Sequence, residues 1–481
     1  MRDFVPEPLF SLAAALKKET GKPLYLIGGK VRDYLAGFSM ASSDFDICAP
    51  VPAEIFMKTA LAAGFCADAA YARTGTMKIS LRQNGGNEKN DIKTEAEYAA
   101  FRSDKYVRGT HTPAETFFTE DILLDARRRD FTCNAVYYDI VADTFVDPLG
   151  GMKDIRNKLL RTVDKPGKVF GEDGLRLLRL ARFAGATGFS PTPETLDGAK
   201  TNAALIADVF PERIFAELKQ ILCSERKYGN ADGIYQALEI LDETRVLDGI
   251  FPDLAAGRNL KQRADFHNHD VLEHSLRAAA YSARANALAN VFPGIPVPFD
   301  VRLAALLHDI GKPAAYFRDG KFSDHPNVGA VLARVALEKL KAPVKTIRLV
   351  EALTKYHMYD YDLCTKENKL RKFIVLHYDI FNELLLVKQA DFSACKDDFS
   401  TAPSVTRLKN LADKMRAEGA PFTLKELAVR GNEIAPLLPS SRYVGATLEA
   451  LLLHCAVTPA DNTKERLLRL APSFGIVGEK N

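Results

Sequence analysis

The spacing of apolar residues changes once along this 481-residue chain, near Gly151, and that change limits the folds open to it. Before it, apolar residues gather in short runs bounded by turn formers. Pro23–Gly29 (PLYLIGG), Asp44–Pro50 (DFDICAP), Met77–Leu81 (MKISL) and Ala135–Ile140 (AVYYDI) read as strands. Asn84–Asn87 reads as a turn between strands, and Pro148–Gly151 as the turn closing this region. After Gly151 apolar residues recur at helical spacing, in Glu172–Ala184, Pro211–Leu222, Gly233–Glu243, Val301–Ile310, Val328–Leu340, Lys409–Glu418 and Leu424–Gly431. The expected fold class is α+β: an N-terminal α/β head followed by an all-α remainder.

The length suggests about three domains, and 47% hydrophobic residues suffice for their cores. No run of 18 apolar residues occurs and the N-terminus lacks a signal-peptide layout, so the expectation is a cytoplasmic protein with no membrane partner. Seven cysteines without a C-x-x-C pair argue against a disulfide framework or a cysteine zinc site. A net charge of +3 does not by itself imply a nucleic-acid partner. Between Met152 and Phe183, however, nine Lys/Arg stand against four Asp/Glu, a local field that suits RNA or a triphosphate.

Leu24–Ile27 should be a buried strand, with Gly28-Gly29 opening a helix over Lys30–Leu35. Glycines there let backbone N–H groups approach a phosphate at the positive end of a helix. In the next strand Asp44 and Asp46 alternate onto one face, and two adjacent carboxylates need a cation between them. Mg²⁺ is the natural occupant, and two such ions serve nucleotidyl transfer. Alone, Asp-x-Asp after Ser42-Ser43 equally suits a turn or cap.

Gly28–Gly37 (GGKVRDYLAG) followed by Ser42–Ile47 (SSDFDI) resembles the signature of the class II tRNA nucleotidyltransferase and bacterial poly(A) polymerase family. Arg128–Ala135 is similar to its RRDFT-x-NA motif, and Asp147-Pro148 with Gly151 and Asp154 to its hinge. Glu172-Asp173 with Arg176 and Arg179 is similar to ED-x-x-R-x-x-R, and Pro211–Leu218 to ERI-x-x-EL. The resemblance implies that Asp44 and Asp46 bind two catalytic Mg²⁺ ions, with Glu97 the candidate third acid. It implies nucleotide binding by Gly28, Gly29, Arg32, Arg128, Arg129, Asp130, Asn134, Asp173, Arg176 and Arg179. Asp173 and Arg176 would read the Watson–Crick edge of the incoming base, so that protein rather than template chooses cytosine or adenine. For Arg32 a structural ion pair is the alternative. A loop at Tyr106–Pro113, containing His111, falls near the family's flexible loop.

Seven of the nine histidines fall between residues 267 and 377. His274, His308-Asp309 in HDIGKP, His325, His357 and Asp391 follow an order that resembles the HD phosphohydrolase superfamily, an all-α fold holding divalent metals. His and carboxylate together suit Mg²⁺, Mn²⁺, Ni²⁺ or Fe²⁺, with Lys312 placed to meet a substrate phosphate. His267, His269, His377 and His454 read as surface or packing residues.

The expected organisation is a catalytic head (1–150), a helical neck and body (151–255), an HD domain (256–400) and a helical C-terminal segment (401–481), with a linker at Pro252–Phe266. The family resemblance implies addition or repair of the 3′-terminal CCA of tRNA from CTP and ATP, by a monomer or homodimer, with HD-domain phosphohydrolase activity in addition. The alternatives are a poly(A) polymerase, an A-adding or CC-adding enzyme, and an HD phosphohydrolase with a vestigial head.

Overall fold

The computed structural model describes residues 4–39, 44–68, 75–82, 92–105, 115–284 and 297–475; at a few of these, Asp44 among them, the description covers the backbone alone. The turn expected at Asn84–Asn87 and the loop containing His111 lie outside the described residues. The chain divides into two compact units, Met1–Pro252 and Asp253–Asn481. The boundary falls at the first residue of the expected linker, which itself begins as a short helix, Pro252–Ala255.

The first unit opens with α1 (Glu7–Thr20), β1 (Tyr25–Ile27), α2 (Gly29–Ala36), β2 (Asp44–Ala49) and α3 (Ala53–Ala62). Next come β3 (Cys66–Asp68), β4 (Thr76–Arg82), β5 (Ile92–Ala100), β6 (Arg102–Lys105), β7 (Glu115–Phe118), α4 (Ile122–Arg127), β8 (Tyr137–Asp139) and β9 (Thr144–Val146). Seven strands form one sheet in the order β3-β4-β5-β2-β1-β8-β9; only β2 and β5 pair in parallel. One face of β2, β4 and β5 is apolar: Phe45, Ile47, Met77, Ile79, Ala96 and Tyr98 are buried. Phe56 of α3 stacks on Tyr98 with ring centroids 3.6 Å apart, capping this face. The alternate residues Asp46, Lys78, Glu95 and Glu97 are exposed, so the opposite face is left for chemistry.

Helices follow, as the change of period near Gly151 implies: α5 (Gly151–Arg156), α6 (Pro166–Glu172), α7 (Leu175–Thr187), α8 (Pro193–Asn202), α9 (Pro211–Ile221), α10 (Glu225–Tyr228) and α11 (Gly233–Glu243). Glycine is required where α7 meets α11, because a Cβ on Gly185 or Gly233 would come within 2.3 Å of the other's carbonyl oxygen. The expected single helix over Glu172–Ala184 is instead two. Asp173 is extended (φ −147°, ψ 107°), and a Cβ at Gly174 would stand 2.6 Å from the carbonyl oxygen of Leu205. The break lets Asp173 accept from the N–H of Leu175 at 3.0 Å and start α7.

The second unit is helical. Val271–Tyr281, Phe299–Leu307, His325–Lys339, Val344–Tyr356 and Phe381–Lys396 carry the histidines and Asp391 on or next to their ends. Residues beyond 401 share a core with Glu367–Leu376, where Ile374, Val405, Leu408, Met415, Leu451 and Leu467 are buried together. The expected helix at Leu424–Gly431 is reduced to one 3-10 turn, Leu424–Glu426. Leu427 turns extended, and the N–H of Ala428 goes to the side chain of Asn462 rather than to a helical carbonyl.

Candidate active site and candidate metal centre

Gly28 ends β1 with φ +76°, a conformation that side-chain-bearing residues resist. A Cβ there would stand 2.9 Å from Oδ2 of Asp46. Glycine therefore lets the backbone pass over this carboxylate and begin α2, whose first N–H groups have no intrahelical partners. Asp46 pairs in register with Glu97 on β5, and Glu97 with Lys78 on β4, giving a polar row on the open face. For Asp44 only the backbone is described, in register with Glu95.

Beside this row opens a cleft of about 550 Å³, lined among the described residues by ten Lys/Arg and six Asp/Glu side chains. All the sequence-nominated nucleotide-binding residues line it, together with Asp46 and Glu97. Several of the arginines are held before any ligand arrives. Arg32, 1% exposed, donates to Asp33 at 3.0 and 2.6 Å, to Asn134 at 2.8 Å and to the Tyr228 hydroxyl at 2.8 Å. The structural ion pair, one of the two readings of this arginine, is thus present. Arg128 and Arg129 grip Asp125 at 2.7 and 2.9 Å, and Tyr137 donates to the same carboxylate at 2.7 Å. Burial opposes charge on Asp125, but Arg129 and Arg128 outweigh it and bring its pKa down to about 2. Asp130 accepts from Arg179 and Asn134, and these partners hold its carboxyl well below the usual range despite burial.

The base-reading pair is arranged unequally. Arg176 is buried and donates to the carbonyls of Val169 at 2.8 Å and Arg128 at 2.6 Å, and to Glu172 at 3.0 Å. Asp173 lies at the break before α7, 3.3 Å from Arg213 of α9. Sequence reasoning passed over Arg213, Arg182, Lys227, Arg102 and Asp125. Arg213 lay within a quoted motif, whereas Lys227 and Asp125 carried no signal.

Cations crowd the far wall. Arg32, Arg179 and Arg182 stand over the Phe183 ring at 5.1, 5.1 and 4.6 Å from its centroid. Burial first, and Arg179 next, push the pKa of Arg182 down. Burial likewise lowers Lys227, helped by Arg32 and Arg182 and opposed by Asp33. Positive groups disfavoured in this way are stabilised by an arriving polyanion.

In the second unit four histidine Nε2 atoms converge on two aspartates. Oδ2 of Asp309 is 3.2 Å from His308 and 3.4 Å from His274, while its Oδ1 is 3.2 Å from His325 and 3.6 Å from His357. Asp391 approaches His274 at 3.0 Å and His308 at 3.5 Å. The Nδ1 atoms of His308, His325 and His357 face the carbonyls of Ala305, Phe322 and Thr354 at 2.7–2.8 Å. Donation there orients each ring with its Nε2 inward. The Nε2 atoms of His274 and His308 are then 3.1 Å apart, and those of His325 and His357 3.3 Å apart. Imidazole nitrogens this close together beside two carboxylates fit divalent cations, with Asp309 shared between two positions. Burial lowers His357 to about 4, whereas on His308 the two aspartates outweigh burial and raise it to about 10. Lys312 is 2.6 Å from Asp309 and, with His267, lines a 280 Å³ cavity. His269 and His454 pair with Asp397 and Asp461, and His377 packs on Tyr356.

A glycine turn laid over a carboxylate row, beside an arginine-walled cleft, defines a nucleotidyltransferase, here in one chain with an HD-type histidine–aspartate centre. Residues 24–161 match the Poly A polymerase head domain, 188–257 the probable RNA and SrmB-binding site of polymerase A, and 271–391 the HD domain. The chain is 30% identical over 467 residues to an A-adding tRNA nucleotidyltransferase of Deinococcus radiodurans, covering 94% of this chain and 92% of that one. It is 30% identical over 346 residues to a multifunctional CCA protein of Acinetobacter baumannii, covering 70% and 74%. The fold matches that of a Bacillus stearothermophilus CCA-adding enzyme in complex with CTP, with TM-score 0.66, 24% identity and 98% of each chain covered. The chain belongs to the tRNA nucleotidyltransferase and poly(A) polymerase family.

Proposed function

We propose that this protein adds or repairs the 3′-terminal CCA of tRNA, using CTP and ATP. The observation that carries the reading is the cleft itself: basic side chains in excess, crowded enough to lower Arg182 and Lys227, beside Asp46 and Glu97. In the transfer the RNA 3′-oxygen bonds to the α-phosphorus as the bond to pyrophosphate breaks, and the hydroxyl proton leaves to the carboxylate row. Divalent ions on Asp44 and Asp46, Mg²⁺ by donor type, with Glu97 as third acid, would lower the charge on both oxygens. Lys227, Arg182 and the α2 N-terminus bind the triphosphate, while Asp173 presents an acceptor to the base and Arg176 fixes the wall beside it. Names of relatives support tRNA as acceptor, one of them as an A-adding and another as a CCA protein.

The test uses tRNA transcripts ending before CCA, after C, after CC and after CCA, each with every labelled nucleotide. The reading expects C, C, A and nothing. Addition of A to CC ends alone would place the chain with the Deinococcus relative, and A addition that never stops would make it a poly(A) polymerase. Asp46→Ala should abolish every one of these additions, and Asp309→Ala none.

For the HD centre we propose phosphoester hydrolysis. His274, His308, Asp309 and Asp391 would hold one divalent ion and Asp309, His325 and His357 a second, which supply an activated water when bound. Lys312 orients the phosphate. Hydrolysis of a model phosphodiester, lost in Asp309→Ala and kept in Asp46→Ala, checks it.

A further inference from the structure

We propose that His267, His274 and Cys395 hold a further metal ion beside the two HD positions, and that this ion is Zn²⁺. The position goes beyond the HD reading and borrows from it only the direction of the His274 Nε2. One donor atom of each residue lies within 4.8 Å of the other two. The fold brings them together at the end of the helix Phe381–Lys396. Cys395 stands one turn after Asp391 there, and its carbonyl accepts from the N–H of Asn268 at 2.9 Å. His269 pairs with Asp397 at 3.3 Å, a second tie on the same helix end. His267, next to both ties, meets His274 edge to face with ring centroids 5.0 Å apart.

His274 is the exception among the four histidines of the HD centre. The other three face a backbone carbonyl with Nδ1. Nδ1 of the fully buried His274 has no hydrogen-bond partner among the described residues. Nδ1 of His267 is likewise buried and unpartnered. Two buried ring nitrogens without partners are costly, and a cation bound to the rings removes that cost. With the Nε2 of His274 turned to Asp309 and Asp391, Nδ1 is the nitrogen it has left for such an ion.

Two imidazoles and a thiolate form a nitrogen–sulfur set. Tetrahedral sets of this kind suit Zn²⁺, whereas Mn²⁺ prefers oxygen donors and Ni²⁺ planar or octahedral surroundings. Burial first, and Asp391 next, push the Cys395 thiol up, so the sulfur keeps its proton until an ion displaces it. As Zn²⁺ binds, the S–H bond breaks and a Zn–S bond forms. His274 gives up its ring proton and bridges the Zn²⁺ to the neighbouring HD ion; both protons leave to solvent. Three protein donors leave the fourth tetrahedral place to water. The ion pins the segment whose Gln262, Arg263 and Phe266 line the 280 Å³ cavity shared with Asp309 and Asp391.

The test loads metal-free wild type, Cys395→Ala and His267→Ala with excess Zn²⁺ and exchanges them into zinc-free Mg²⁺ buffer. Elemental analysis counts the retained zinc, and X-ray absorption reads its neighbours. Wild type should retain three zinc ions per chain, with a sulfur neighbour at about 2.3 Å. Cys395→Ala should retain two and show no sulfur. His267→Ala should keep the sulfur neighbour but yield that zinc to chelator at least about ten-fold more readily. Wild-type zinc on nitrogen and oxygen alone overturns the position, leaves the HD centre intact and depends on no variant folding. A sulfur neighbour that survives Cys395→Ala, supplied by exposed Cys66 or Cys364, overturns it equally. Wild type that retains no zinc overturns the HD centre as well.

Discussion

Arg179 closes on Asp130 with two of its nitrogens: Nε at 2.8 Å and Nη2 at 2.6 Å reach the same carboxylate oxygen. The two residues lie 49 positions apart, in the two arginine-rich motifs that line the nucleotide cleft. Asp130 in turn accepts from Asn134, and Asn134 accepts from Arg32. Four residues nominated separately as ligand contacts thus form one ionic network. Their first role is to hold the wall of the cleft, and a triphosphate meets that wall already built.

Asp130→Ala removes the carboxylate that Arg179 grips and leaves its guanidinium beside Arg32 and Arg182. Deleting one partner of a largely buried pair costs about 3 kcal/mol, more than the pair itself contributes. Calorimetry should show the transition of residues 4–252 moved down and that of 253–475 unchanged. Equal melting of both forms would show that Arg179 finds another partner.

Asp125 supplies a pH dependence. Its folded pKa of about 2 lies below the unfolded carboxylate value, so its stabilisation is fully present above about pH 4 and is lost as pH falls through about 2. The shift corresponds to roughly 2 kcal/mol. Wild type should be more stable than Asp125→Asn at pH 5, with most of the difference gone at pH 2. Urea unfolding across that range measures it, and a pH-independent gap would mean that the Arg128 and Arg129 contacts carry no charge coupling.

Arg213 bears on the choice of base. Its Nη2 lies 3.3 Å from Asp173, on the carboxylate expected to read the incoming nucleotide. Arg213→Ala removes that ion pair, leaving Asp173 oriented by the Leu175 N–H instead. Incorporation of UTP or GTP relative to CTP and ATP should rise about ten-fold, a change of about 1.4 kcal/mol in discrimination. Unaltered discrimination with a raised KM for every nucleotide would reassign Arg213 to phosphate binding.

The sequence carried β1, β2, β4 and β8, the aspartate pair and the histidine centre because each depends on local pattern: alternation along β2, glycine at a left-handed turn, His-Asp adjacency before Gly311; β3, β5, β6, β7 and β9 were not read as strands. It did not carry the division of labour among the arginines. Arg176 and Arg179 stand three residues apart on one helix, yet the first is bound to carbonyls of Val169 and Arg128 and the second to Asp130. Those partners come from other elements, whereas Asp125 pairs locally with Arg128 and Arg129, three and four residues on at the end of α4. The break at Asp173 was hidden for the same reason: its cause is Leu205, in a later segment that approaches Gly174 too closely for a side chain.

The shared position of Asp309 predicts a stoichiometry. Its two oxygens face different histidine pairs, His274 with His308 and His325 with His357. Protein purified after growth in Mn²⁺ or Ni²⁺ should therefore retain two transition-metal ions per chain after exchange into Mg²⁺ buffer, as read by elemental analysis. His325→Ala removes a ligand of one position only and should retain one. Asp309→Ala removes a ligand of both and leaves Lys312 without its 2.6 Å partner, so it should retain none. The wild type stripped with chelator should unfold more readily in its second unit, because ions that bind the folded site and not the unfolded chain stabilise the fold. One ion lost in each single variant would show that the two positions bind independently and that Asp309 does not bridge them.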